Sequence, residues 1–207
     1  MVTSPPAPGA RKSNARGIRG RARLLDSALR AFASRGFHGA TTREIADDAG
    51  MSAAAAYAHF PTKESMLYEL SLRGHTEALA TIETAAGEDG PPVERLQRAM
   101  TAFSTWHARS HTTARVVQYE MAALTPEHAA EIATIRRRTQ RIVTALIEEG
   151  MATGEFGDDD AHAAGLAILS MGIDVARWYR DDGAWSPDEI GARNGRWAVT
   201  MLGGRPA

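Results

Sequence analysis

The chain has 207 residues, 43% of them apolar, and its 24 Lys and Arg against 25 Asp and Glu leave a formal net charge of −1. That apolar content supports a packed core, no run reaches the roughly 18 apolar residues of a membrane span, and the lack of cysteine excludes a disulfide frame and a thiolate zinc site. Met1–Gly20 has no apolar run and does not read as a secretory leader, so a soluble cytoplasmic protein is expected. The near-neutral total conceals an asymmetry: residues 1–63 carry 10 Lys and Arg against 4 Asp and Glu, while residues 64–207 carry 14 against 21. A basic segment on an acidic body suggests that one end meets a polyanion.

Residues 1–20, rich in Pro, Gly and Arg and without periodicity, are expected to be a flexible basic arm. From Arg21 onward almost everything reads as helix. Leu25, Ala28, Leu29 and Phe32 fall at i, i+3, i+4 and i+7 on one face of a first helix. Gly36 suits the left-handed position that ends it, and Phe37 folds back as an apolar residue. Further on, Thr125 precedes Pro126 as an N-cap before a proline at the first helical position. Ser186 with Glu189 forms a capping box around Pro187. No alternating apolar run is flanked by turns. The expectation is an all-α fold of about nine helices, with a helix-turn-helix domain over 21–67 and a helical body over 68–207.

Thr41–Lys63 is the informative stretch. Thr41 and Glu44 make a capping box for a short helix over Thr42–Ala49, with Ile45, Ala46 and Ala49 inward. Gly50 permits a tight turn at positive φ, and Ser52 can cap a further helix from Ala53 to Phe60. Two short helices joined by a glycine turn form a helix-turn-helix, whose second helix enters the major groove of DNA. Gly36-Phe37, the pair Thr41-Thr42 before Ile45-Ala46, and Tyr57-x-His59-Phe60-x-x-Lys63 together resemble the signature of the tetracycline-repressor (TetR) family over about Arg21–Leu70.

The resemblance implies a homodimeric, non-enzymatic repressor of transcription with no cofactor, no catalytic residue and no metal, whose partners are double-stranded operator DNA and a small-molecule inducer. Thr42 stands at a helix N-terminus able to take a phosphate; Tyr57, His59 and Lys63 are expected on the DNA backbone, and Ser52 at the DNA as the cap of the recognition helix. Ala53, Ala54, Ala55 and Ala58 occupy recognition-helix positions where polar side chains are common. Their methyls can touch thymine but cannot make bidentate hydrogen bonds. Arg43 is then the best candidate for reading a guanine, with a phosphate contact or plain solvent exposure as the alternative. Arg16, Arg19 and Arg21 could enter a minor groove, though non-specific phosphate attraction is the stronger reading.

The helices expected over Ala161–Tyr179 and Pro187–Leu202 combine Gly165, Ala167, Ser170 and Gly172 with Ile168, Met171, Val175 and Trp197, which reads first as an outward dimer seam, with an internal core as the alternative. Met100, Phe103, Trp106, His107, Gln118, Met121 and Trp178 are the candidates for a ligand cavity, each of which equally suits a helical core. The C-terminal half resembles TetR-family regulators of lipid or sterol-fragment breakdown that sense acyl-CoA thioesters. On that reading Arg136, Arg137, Arg138 and Arg141 meet CoA phosphates; a solvated face paired with Glu131 and Glu148 is the preferred reading. The rival classes are a helical adaptor and a metal-dependent helical enzyme. For the latter the one hint is His107 and His111 at i, i+4, with no carboxylate at motif spacing.

Overall fold

A computed structural model describes residues 8–206, with side chains from residue 17 onward, and among these residues the chain is all-helical. In order the helices are α1 (Pro8–Gly39), α2 (Thr42–Asp48), α3 (Ala53–His59), α4 (Lys63–Ala86), α5 (Pro92–Arg109), α6 (His111–Tyr119), α7 (Pro126–Ala152), α8 (Ala161–Trp178) and α9 (Pro187–Met201), with one 3-10 turn at Met121–Ala123. The chain divides into two compact units, Met1–Leu70 and Ser71–Ala207, three residues beyond the boundary expected from sequence. No described helix is long and apolar enough to cross a membrane.

The first helix starts earlier than expected. It begins at Pro8, so residues 8–20 continue α1 and do not form a flexible arm; Met1–Ala7 lie outside the described residues. Pro8 suits a first helical turn, where its missing N–H is no loss, and the alanines and arginines that follow are good helix formers. Gly36 interrupts α1 at φ 71°, ψ 168°, a region open essentially to glycine alone. The break turns Phe37 back onto Phe32, with ring centroids 5.5 Å apart.

In the N-terminal unit Leu24, Leu25, Ala28 and Phe32 of α1 are buried with Ile45, Ala46 and Ala56 of α2 and α3. Both expected caps form. Thr41 Oγ1 accepts from the Glu44 amide while Glu44 accepts from the Thr41 amide, and the Thr41 hydroxyl and then the Thr41 amide, both donating to the carboxylate, hold the Glu44 carboxyl below its usual range. Ser52 Oγ accepts from the Ala55 amide at 3.2 Å. Gly50 takes φ 67° in the turn between them.

In the C-terminal unit Ile82, Leu96, Met100, Val143, Ile147, Ile168 and Val199 are among the residues of one apolar core. The closest packing is between α5 and α9. A Cβ at Gly191 would stand 2.0 Å from Thr105 Oγ1, and one at Gly195 would stand 2.1 Å from Thr101 Oγ1, so glycine is required at both positions. Beside them Asn194 Nδ2 donates to Ser104 Oγ at 3.1 Å, both groups buried. The small residues of α8 serve the same end. Gly172 faces Phe103 and Ser104 of α5, and Gly165 faces Gln140 and Thr144 of α7. Gly165, Gly172, Ile168 and Val175 therefore belong to the internal core and not to an outward seam; Ala167, Ser170 and Trp197 are the exposed members of that set.

Candidate functional site

On the helix-turn-helix the exposed face carries Arg43, Ser52, Ala54, Tyr57 and Ala58, while Thr42, Ala53, Ala55 and His59 are half-buried. Tyr57 is 52% exposed, so it is not a core ring. Arg43 has neither a hydrogen bond nor an ion pair with any described residue. Its neighbours differ: Arg30 is paired with Asp48 at 2.6 Å and Arg35 with Glu44 at 3.0 Å. Of these three guanidiniums the one at position 43 has its full donor fork available. His59 stands close to α1, its Nε2 being 3.2 Å from where a Cβ at Gly20 would lie, and Met51 closes the same spot. Its ring packs against its own unit at this point.

Two basic residues have partners within the unit that local spacing does not predict. Lys63 Nζ donates to the carbonyls of Phe37 at 2.6 Å and Ala40 at 2.7 Å and lies 4.3 Å from the centre of the Phe37 ring. The ammonium thus satisfies orphan carbonyls at the end of α1, and two of its three donors are engaged within the unit. Arg21 lies over the Phe60 ring at 4.6 Å and pairs with Glu69 at 2.8 Å, so it is held against its own unit and not directed to a groove. Arg19 is exposed; the side chain of Arg16 lies outside the described residues.

The C-terminal unit holds a half-open cavity of about 340 Å³ between α4, α5, α6, α7 and α8. Its wall is mainly apolar, with Phe103, Trp106, Val117, Leu169 and Ile173 on it. Of the expected ligand residues, Phe103, Trp106, His107 and Gln118 line it. Met100 does not: it is 0% exposed and sits in the core below. Trp178 ends α8, 41% exposed and away from the cavity. Met121 is one shell removed, its Sδ accepting from Arg136 at 3.4 Å.

Arg136 is the residue that sequence reasoning placed wrongly. Its guanidinium lines the cavity, donates to Gln118 Oε1 at 2.8 Å, and has no carboxylate partner among the described residues. Burial pulls its pKa below the usual arginine value. Arg137 at the rim bonds Thr134, Arg138 pairs with Glu83, and Arg141 is exposed. Arg136 and Arg137 thus both border the ligand space, one half-buried in its wall and the other exposed at its rim, while Arg138 and Arg141 do not line it.

Two histidines complete the polar wall. His107 Nδ1 donates to the Phe103 carbonyl at 2.8 Å and His75 Nδ1 to the Ser71 carbonyl at 2.8 Å. Burial pushes the His107 pKa down to about 4 and lowers that of His75, and the nearby Arg136 charge adds to both shifts. His111 stands apart, its ring on Tyr179 at 5.0 Å and its Nε2 4.0 Å from Asp181. No cluster of three metal-ligating side chains occurs among the described residues.

A capped helix-turn-helix on one unit and a lined cavity in the other match two family models: bacterial regulatory proteins of the tetR family over residues 24–70, and the tetracyclin repressor-like C-terminal domain over residues 89–202. The chain belongs to the tetR family. Among tetR-family relatives, the HTH-type transcriptional repressor KstR2 of Mycobacterium tuberculosis is 32% identical over 189 residues, covering 89% of this chain and 92% of that protein. A tetR-family regulatory protein solved from Rhodococcus RHA1 superposes with a TM-score of 0.85 at 44% identity, over 91% of this chain and 98% of its own. The structure of the ketosteroid transcriptional regulator KstR2 of Mycobacterium tuberculosis gives a TM-score of 0.81 at 26% identity, over 88% and 94%.

Proposed function

We propose that this tetR-family regulator is a repressor that binds a palindrome-like operator as a homodimer and is released by an anionic amphiphile of the acyl-CoA class. The repressor reading draws on the relatives named as such. Arg43 is the base-reading residue, with Thr42, Ser52 and Tyr57 on phosphates and the alanine methyls of α3 against thymines. The exposed Leu166 of α8 and the exposed Trp197 and Met201 of α9 are the apolar groups offered to a second copy.

The observation that carries the ligand class is Arg136. A half-buried guanidinium without a counter-charge is costly to hold in an apolar wall unless something anionic completes it. The cavity, near the low end of the roughly 300–1,000 Å³ of small-molecule sites, suits an acyl chain and a head group and not a whole coenzyme. The adenosine end therefore lies outside the cavity, and the diphosphate that joins it to the acyl arm is the anion offered to Arg136.

The reading is tested by selecting operator DNA from a random pool and titrating the complex with decanoyl-CoA, with free decanoate alongside. The thioester is expected to weaken operator binding and raise the melting temperature together, and the operator to weaken thioester binding by the same factor. Stabilisation without any effect on operator affinity would contradict it.

A further inference from the structure

The paired histidines of the cavity have no role in the reading above beyond lining it. In each ring Nδ1 faces a carbonyl oxygen, which only accepts, so Nδ1 carries the hydrogen. The neutral ring then has a lone pair at Nε2, and no described donor meets either Nε2. His107 is 6% exposed, with the Phe103 ring 4.2 Å away on one side and Trp106 4.9 Å away on the other. The Arg136 charge on the same wall opposes protonation of both rings. The cavity therefore presents two hydrogen-bond acceptors of fixed tautomer among apolar groups, and burial together with the Arg136 charge opposes the protonation that would turn either into a donor.

We propose that His75 and His107 select a ligand carrying a hydroxyl partway along its apolar body, which donates to one Nε2 while Arg136 takes the anionic end. This rests on the acyl-thioester reading and narrows it to hydroxylated chains. A plain hydrocarbon chain buries both acceptors against methylenes and forfeits their hydrogen bonds to water. A hydroxyl at the right carbon restores one of them. A site built to bond a hydroxyl discriminates strongly against the analogue that lacks it.

The test is calorimetric titration of the full chain with decanoyl-CoA and with a panel of hydroxydecanoyl-CoA positional isomers, each hydroxylated at a different carbon. At least one isomer is expected to bind about tenfold tighter than decanoyl-CoA. His107→Phe and His75→Leu are made separately, so that a folding failure of one leaves the other informative. In at least one of them the preference is expected to shrink to about twofold or less, with decanoyl-CoA still bound. If every isomer binds no tighter than decanoyl-CoA while decanoyl-CoA binding depends on Arg136, the hydroxyl selection is overturned and the thioester reading stands. If the preference survives both histidine variants, the histidines are not its source. If none of the thioesters binds, the thioester reading falls and takes this inference with it.

Discussion

In the N-terminal unit the cations either stand in solvent or close the structure. Arg43 is exposed and unpaired, Arg30 and Arg35 sit against carboxylates, and Lys63 caps the end of α1 through two carbonyls. In the C-terminal unit Arg136 does the opposite, facing a mainly apolar cavity with an amide and a thioether as its nearest partners. DNA is large and reaches a charge wherever solvent does. A small ligand must supply a counter-charge at one place, and an arginine kept unpaired there loses stability that the ligand restores.

Acid tests the cavity side of this contrast most strongly. His107 stays neutral in the fold down to pH about 4, whereas in the unfolded chain it takes up a proton near 6.5. Its burial therefore contributes fully above about 6.5, and that contribution is lost as pH falls toward about 4, with a total near 3 kcal/mol. His75 shifts in the same direction. Urea unfolding at several pH values is expected to show this acid loss in the wild type and a shallower one in His107→Phe. Parallel curves would place His107 in a wetter setting than the structure shows.

Lys63→Ala probes the other side. It removes two charge-assisted bonds at the α1 end and is expected to destabilise the N-terminal unit by about 2 kcal/mol. The salt dependence of operator binding is expected to stay the same, because a lost phosphate cation would lower the slope by about 0.9. A lowered slope at wild-type stability would return Lys63 to the DNA backbone.

Arg43→Ala is expected to relax preference at one symmetric base pair per half-site by about 1.5 kcal/mol, leaving preference at the thymines beside the alanines. Arg43→Lys keeps the charge and loses part of the preference, since lysine lacks the planar fork. Binding profiles over all single-base operator changes decide this. An even fall across every sequence makes Arg43 a phosphate contact. The smallest effect is Tyr57→Phe, expected to weaken all sequences alike by about 0.5–1 kcal/mol with an unchanged salt slope.

The parts legible in the sequence are those set by local chemistry. Thr41, Glu44, Gly50 and Ser52 act on backbone groups within a few residues, so the helix-turn-helix could be read directly. The carbonyl partners of Lys63 were not legible because Phe37 and Ala40 lie 26 and 23 residues upstream, brought close only by folding. Met100 and Phe103 share a face of α5, and only depth separates core from cavity wall. Among Arg136, Arg137 and Arg138, spacing implies that one points inward without saying which. The outward reading of Gly165 and Gly172 failed because a small residue signals close approach without naming the neighbour. Gly191 and Gly195, four residues apart on α9, carried such a signal and went unread.

The central claim is that Arg136 stands unpaired in the cavity for the sake of an anionic ligand. Arg136→Met, melted with and without decanoyl-CoA, tests it most directly. The account predicts that the variant without ligand is at least as stable as the wild type, because an uncompensated half-buried charge has been removed, and that the thioester no longer raises its melting temperature. A variant that melts well below the wild type yet is still stabilised by the thioester would contradict it.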